Sequence, residues 1–136
     1  MKDHQAPPQP VRLADYAPPA YRIDHVDLRF DLDPATTRVT ATSRIERQDG
    51  TAVGEPLVLD GEQLELVAVA IDGQALGSGA YRVVDGHLTI LEPPAAFELT
   101  VVTDIHPQDN TALEGLYTSS GNFCTQCEPE GFRRIT

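Results

Sequence analysis

Between residues 21 and 33 the chain alternates, with Val26, Leu28, Phe30 and Leu32 separated by Asp27, Arg29, Asp31 and Asp33. Successive side chains of an extended strand point to opposite faces, so a period of two marks a strand with one dry and one wet face. The period returns at 36–45, where Val39, Ala41, Ser43 and Ile45 share a face, and at 97–105, where Phe97, Leu99, Val101, Thr103 and Ile105 do. Asp33-Pro34-Ala35-Thr36 supplies turn chemistry between the first two runs, which therefore read as an antiparallel hairpin. Shorter apolar runs lie at 57–59, 64–71, 81–84 and 87–91, and Asp72-Gly73 and Asp85-Gly86 read as tight turns. No helical stripe lasts longer than a turn or two, and no internal repeat is visible. About seven short strands separated by turn signals predict an all-β, antiparallel sandwich or meander.

The 136 residues are one domain's worth of chain. Residues 1–19 read as a proline-rich extended arm, because Pro7, Pro8, Pro10, Pro18 and Pro19 remove donors and restrict their predecessors. Residues 20–136 read as the β-rich domain. Within it, segment 106–136 loses the alternation and turns to glycine, asparagine and small polar residues. Its last residues, Gly131-Phe132-Arg133-Arg134-Ile135-Thr136, look like the start of another strand, so a fold truncated at its C-terminal end and cut from a longer protein is expected.

Ten basic against 21 acidic side chains give a net charge of −11. Such a chain is repelled by phosphates and by anionic bilayers, which excludes nucleic acid and membrane surfaces as expected partners. Two cysteines do not make a secreted disulfide scaffold, and the first twenty residues contain no apolar signal-peptide core. No apolar run approaches the ~20 residues that cross a bilayer. A cytoplasmic protein in a reducing compartment is the expectation.

Cys124-Thr125-Gln126-Cys127 is the most conspicuous chemical motif. This spacing can place two thiolates on one zinc ion, can form a redox dithiol, or can be two structural thiols on a loop. Zinc would need further ligands, and His4, His25, His87 and His106 stand singly; a redox pair would want a helix on a βαβ framework. HExxH, GxSxG and a glycine-rich phosphate loop are all missing, so the chain lacks a complete catalytic set of its own. A stand-alone β-sandwich binding module and a small zinc-stabilised domain built on Cys124 and Cys127 are the rival classes; a metal assay separates the second.

The run Asn110-Thr111-Ala112-Leu113-Glu114-Gly115-Leu116-Tyr117, then Cys124-Thr125-Gln126-Cys127-Glu128 and Glu130-Gly131-Phe132-Arg133, closely resembles the N-terminal domain of bacterial aminopeptidase N, a zinc metallopeptidase of the gluzincin type. Tyr21-Arg22-Ile23 with Val26-Asp27-Leu28 and Phe30-Asp31-Leu32 fits that family's first strand, and the likeness extends from about residue 16 to 136. The resemblance implies a β-rich saddle packed on the catalytic domain of the same polypeptide. That absent domain would carry the zinc ligands, the HExxH glutamate and a GAMEN-type loop, so this chain by itself is expected to bind no zinc and to be inactive. By motif position Gln126 and Glu128 become the substrate-binding residues. Glu128 would help hold the free α-ammonium of a peptide together with a glutamate of the GAMEN-type loop, and Gln126 would line the pocket for the first side chain. For the two cysteines the resemblance implies structural thiols. Cut loose from its catalytic domain, the fragment would leave an apolar face and a sheet edge uncovered and is expected to self-associate.

Overall fold

The structure, a computed structural model, describes residues 9–136. Residues 1–8, with His4, Pro7 and Pro8 of the predicted arm, lie outside the described residues. The described residues build ten strands: β1 (Tyr21–Asp31), β2 (Thr37–Arg47), β3 (Leu57–Asp60), β4 (Glu65–Ile71), β5 (Gln74–Ala75), β6 (Tyr81–Val84), β7 (His87–Ile90), β8 (Ala96–Ile105), β9 (Gly115–Ser119) and β10 (Asn122–Gln126). Its helical elements among the described residues are 3-10 turns at Leu13–Asp15, Pro107–Asp109 and Gly131–Arg134. A five-stranded sheet runs β1-β2-β8-β4-β5, a three-stranded sheet runs β3-β7-β6, and β9 and β10 form a separate hairpin. All pairings are antiparallel, as the alternation predicts.

Local chemistry explains the turns. Asp33 Oδ1 accepts the backbone N–H groups of Ala35 and Thr36, while the fully buried Thr37 hydroxyl donates to the Asp33 carbonyl at 2.8 Å. The β1–β2 connection is thereby closed by its own side chains. Asp85 and Gly86 take φ of 49° and 77°, the left-handed pair that a two-residue hairpin requires.

Two core clusters form on one face of the large sheet. The first joins Tyr21, Ile45, Val69, Phe97 and Leu99 to Leu57 and Ile90 of the smaller sheet, which makes the fold a sandwich at that end. Tyr21 meets Phe97 edge to face at 6.2 Å and donates its hydroxyl to the Glu55 carbonyl, so its polar tip is satisfied. The second cluster unites Val39 and Ile105 with Leu116 and Ile135, and Phe30 and Leu64 pack against it. Through Leu116 and Ile135 the segment that loses its alternation is nonetheless bound to the sheet.

Two expectations are corrected. The final residues do not begin a strand. They close a 3-10 turn that sends Ile135, 3% exposed, into the second cluster. The apolar face of β1 is also not buried along its length: Val26 and Leu28 remain 41% and 38% exposed. Bulges at Asp24 of β1 and Val67 of β4 keep Ile23 with Val26, and Leu66 with Val69, on the inward face. But β1 is an edge strand, and only its ends, at Tyr21 and Phe30, reach a covering layer. Its middle opens onto a groove of about 610 Å3 lined by Ile23, Val26, Ile45, Leu66, Val101 and Phe132. No helix among the described residues is long and apolar enough to cross a membrane.

His106 joins three elements that sequence reading had left unconnected. Its Nδ1 lies 2.8 Å from the Ala35 carbonyl and its Nε2 lies 2.9 Å from the Glu65 carboxylate. Both partners are acceptors, an arrangement that favours the imidazolium, in which both ring nitrogens donate. The hydrogen bond to Glu65 and then that to Ala35 raise the His106 pKa above its ordinary 6.5, with Asp109 adding a favourable charge. Asp104, also nearby, is held below the usual carboxylate range by the Arg38 guanidinium, whose two nitrogens grip it at 2.8 and 2.9 Å. A raised histidine pKa gives stability that is complete below the unfolded value and fades as pH climbs through the folded one.

Replacing His106 by Gln should therefore lower the melting temperature at pH values below 6.5, with the gap narrowing as pH rises beyond the raised value. Melting curves of both proteins across pH test this, and a gap independent of pH would contradict it. Ile135→Ala should cost about 2–5 kcal/mol by emptying a core position, measurable by urea denaturation.

Candidate functional site

The two residues that sequence reading selects stand at one end of the β9–β10 hairpin. Strand β10 pairs with β9 from Asn122↔Ser119 to Gln126↔Gly115, so Gln126 is the last ladder residue and Glu128 lies two beyond it. The hairpin itself was missed, although Ser120-Gly121 is a turn dipeptide and takes φ of 50° and 81°. The surrounding polar residues hid the short alternation of Leu116 and Thr118 with Phe123 and Thr125.

After Gln126 the chain makes a tight excursion, Cys127 to Glu130, and returns at Gly131. The Gly131 N–H donates to the Cys127 carbonyl at 2.8 Å and closes it. The Gln126 side-chain amide donates to the Glu128 carbonyl at 3.0 Å. That amide thus braces the backbone carrying Glu128, a use the motif did not suggest. The peptide between Glu128 and Pro129 is cis.

The acids around this loop differ in what they touch. Glu130 lies 3.6 Å from Arg133, and Asp60 takes both Arg133 at 3.4 Å and His87 at 3.1 Å. Arg134, mostly buried, takes Glu62 at 2.7 Å and lies 3.3 Å from Glu114, the latter an ionic contact without hydrogen-bond alignment. Glu128 is exposed, and its carboxylate forms no hydrogen bond or ion pair among the described residues. In a cluster where arginines neutralise the neighbouring acids, it is the carboxylate left available to an incoming cation.

The other candidates come apart. Cys127 is exposed and Cys124 half-buried, both as free thiols. Among the described residues no group of three or more His, Cys, Asp or Glu side chains is placed to hold a metal ion. His25 pairs with Asp27 and His87 with Asp60, each on the surface. The 610 Å3 groove is lined by Cys127, Pro129 and Glu130 but not by Gln126 or Glu128. Its apolar wall and the free carboxylate are separate features with different chemistry.

No family model matches the sequence. Over 129 residues, 95% of the chain, it is 54% identical to aminopeptidase N of Caulobacter vibrioides, and it spans 15% of that relative's length. Among solved structures, Legionella pneumophila aminopeptidase A in complex with aspartic acid is similar over 91% of this chain and 15% of its own, with 30% identity and a TM-score of 0.81. An M1 zinc metallopeptidase from Deinococcus radiodurans, bound to a Tyr-Ser-Ala substrate, superposes at a TM-score of 0.67 over 86% of this chain and 28% of its own; at 16% identity it shares the fold alone. Over most of its length the chain is thus similar to a portion, about 15% of the length, of proteins named aminopeptidase N, and it shares its all-β architecture with the solved aminopeptidase structures.

Proposed function

We propose that this chain serves a zinc aminopeptidase as the domain that helps hold the free N-terminus of a peptide substrate, packed on a catalytic domain of the same polypeptide. The observation that carries the reading is Glu128: a carboxylate with no ion pair among the described residues, on a braced loop, in a chain 54% identical over 129 residues to an aminopeptidase N. An exopeptidase must recognise a cationic terminus, and a carboxylate does so by a charge-assisted hydrogen bond. Covered by a neighbouring domain, the pair would sit in a lower dielectric and gain strength. Holding the ammonium fixes which peptide bond reaches the reacting centre, so recognition doubles as positioning.

Gln126, already hydrogen-bonded to the Glu128 backbone, would border the space for the first side chain. The zinc belongs to residues outside this chain, where it would polarise the scissile carbonyl and activate water. Nothing in this chain's described residues provides a ligand set for it. The role of these 136 residues is binding and orientation.

In the full-length enzyme, Glu128→Gln should lower kcat/KM for free-amine substrates by ~10–1000-fold, mostly through KM, corresponding to a loss of ~1.4–4 kcal/mol. Affinity for a des-amino inhibitor should not change, since it has no ammonium to lose. Wild-type kinetics in this variant would reduce Glu128 to an ordinary surface acid. The isolated chain should release nothing from an aminoacyl chromogenic substrate and should carry no stoichiometric zinc by elemental analysis. Turnover that survives repurification, or one tightly held zinc per chain, would overturn that division of labour.

A further inference from the structure

We infer that the close approach of Gly115 and Gly131 is the device that sets where Glu128 stands, which makes Gly131 a positioning residue for substrate binding; this rests on the reading of Glu128 above. A β-carbon on Gly131 would overlap the Gln126 carbonyl oxygen and lie 3.0 Å from the carbonyl carbon and 3.1 Å from the Gly115 nitrogen. These are backbone atoms, and no side-chain rotation relieves the overlap. Gly115 is equally confined: its own β-carbon would sit 2.7 Å from Arg134 Cβ and 3.3 Å from the Gly131 carbonyl oxygen, at a φ of 75°. The two glycines are both buried, and Gly115 is the ladder partner of Gln126.

The surroundings hold this junction from outside. The Arg133 carbonyl accepts the Glu62 N–H at 2.8 Å, and the Arg134 guanidinium reaches Glu62, Gln63 and Glu114, so the turn Gly131–Arg134 is tied to the β3–β4 connection and to the start of β9. With its return point fixed by Gly131 and its departure fixed by the Gln126–Gly115 pair, the excursion carrying Glu128 has little freedom left. A methyl group on Gly131 must push the Gln126 carbonyl away, two residues before Glu128. Misplacing a binding group by about 1 Å can cost about 10²-fold in rate.

The test is steady-state kinetics of the full-length enzyme carrying Gly131→Ala, beside Gly79→Ala, where an added β-carbon meets nothing within 4 Å. Gly131→Ala should lose about 10²-fold in kcat/KM, chiefly through KM, and should lose most of the preference for a free-amine inhibitor over its des-amino analogue. Gly79→Ala should behave as wild type. A purely structural defect would lower the active fraction, and hence kcat, while leaving KM and that preference intact. Unchanged KM and preference in Gly131→Ala, with Glu128→Gln impaired, would overturn the positioning role and leave the reading of Glu128 standing. Unchanged kinetics in Glu128→Gln would overturn the reading itself. Should Gly131→Ala fail to accumulate as folded enzyme, Arg134→Gln decides: it unties the turn without adding volume, and it should raise KM in the same selective way, whereas an unaltered KM would refute the inference.

Discussion

The antiparallel ladder between β2 and β8 runs without a break from Thr37↔Ile105 to Glu46↔Ala96, and both core clusters are built on one of its faces. Because the side-chain period of a strand is two, this register puts Val39, Ala41 and Ile45 beside Phe97, Leu99, Thr103 and Ile105. A slip of β2 by one residue would turn Val39, Ala41 and Ile45 toward water. At one end the face receives Leu57 and Ile90 of the small sheet; at the other it receives Leu116 and Ile135 of the C-terminal segment. The candidate loop is thus connected to the central ladder through two buried side chains, and it does not hang from the sheet as a free extension.

Under the proposed role of Glu128, that connection is what would let an exposed loop carry an oriented carboxylate. Loops present function because they reach the surface, but a binding group must also be held. In the proposed role the loop would be held by a hairpin, a pair of buried glycines and an arginine set among Glu62, Gln63 and Glu114, while Glu128 itself forms no ion pair among the described residues. The net charge of −11 fits the same division. Most of the acid surplus keeps the surface anionic, and an anionic surface draws cationic groups toward it.

The edge of the large sheet shows a different balance. Strand β1 carries inward-facing apolar residues along its whole length, yet only Tyr21 and Phe30 at its ends are covered. The groove beside its middle is apolar, with Asp60, His87, Glu130 and Arg133 among its lining. Sheet edges and open apolar faces of this kind are surfaces that association can cover.

Local signals were enough for the strands of the two main sheets except the two-residue β5, because alternation and Asp-Gly turns act over a few residues and do not depend on partners. Thus the runs at 36–45 and 97–105 and the turns at Asp72-Gly73 and Asp85-Gly86 were legible one after another, and the motif around Gln126 and Glu128 was readable as a likeness. Pairing and covering are not local. The phase jumps at Asp24 and Val67 make sense only once a partner strand is present to be bulged against. The burial of Ile135 depends on Val39 and Ile105, far away in the chain, and so a buried turn looked like a strand. Apart from the family likeness, Glu128 and Glu130 are alike in local sequence, two acids flanking one proline. Folding makes them different, because the turn at Gly131 brings Arg133 within reach of Glu130 and leaves Glu128 without an ion pair among the described residues.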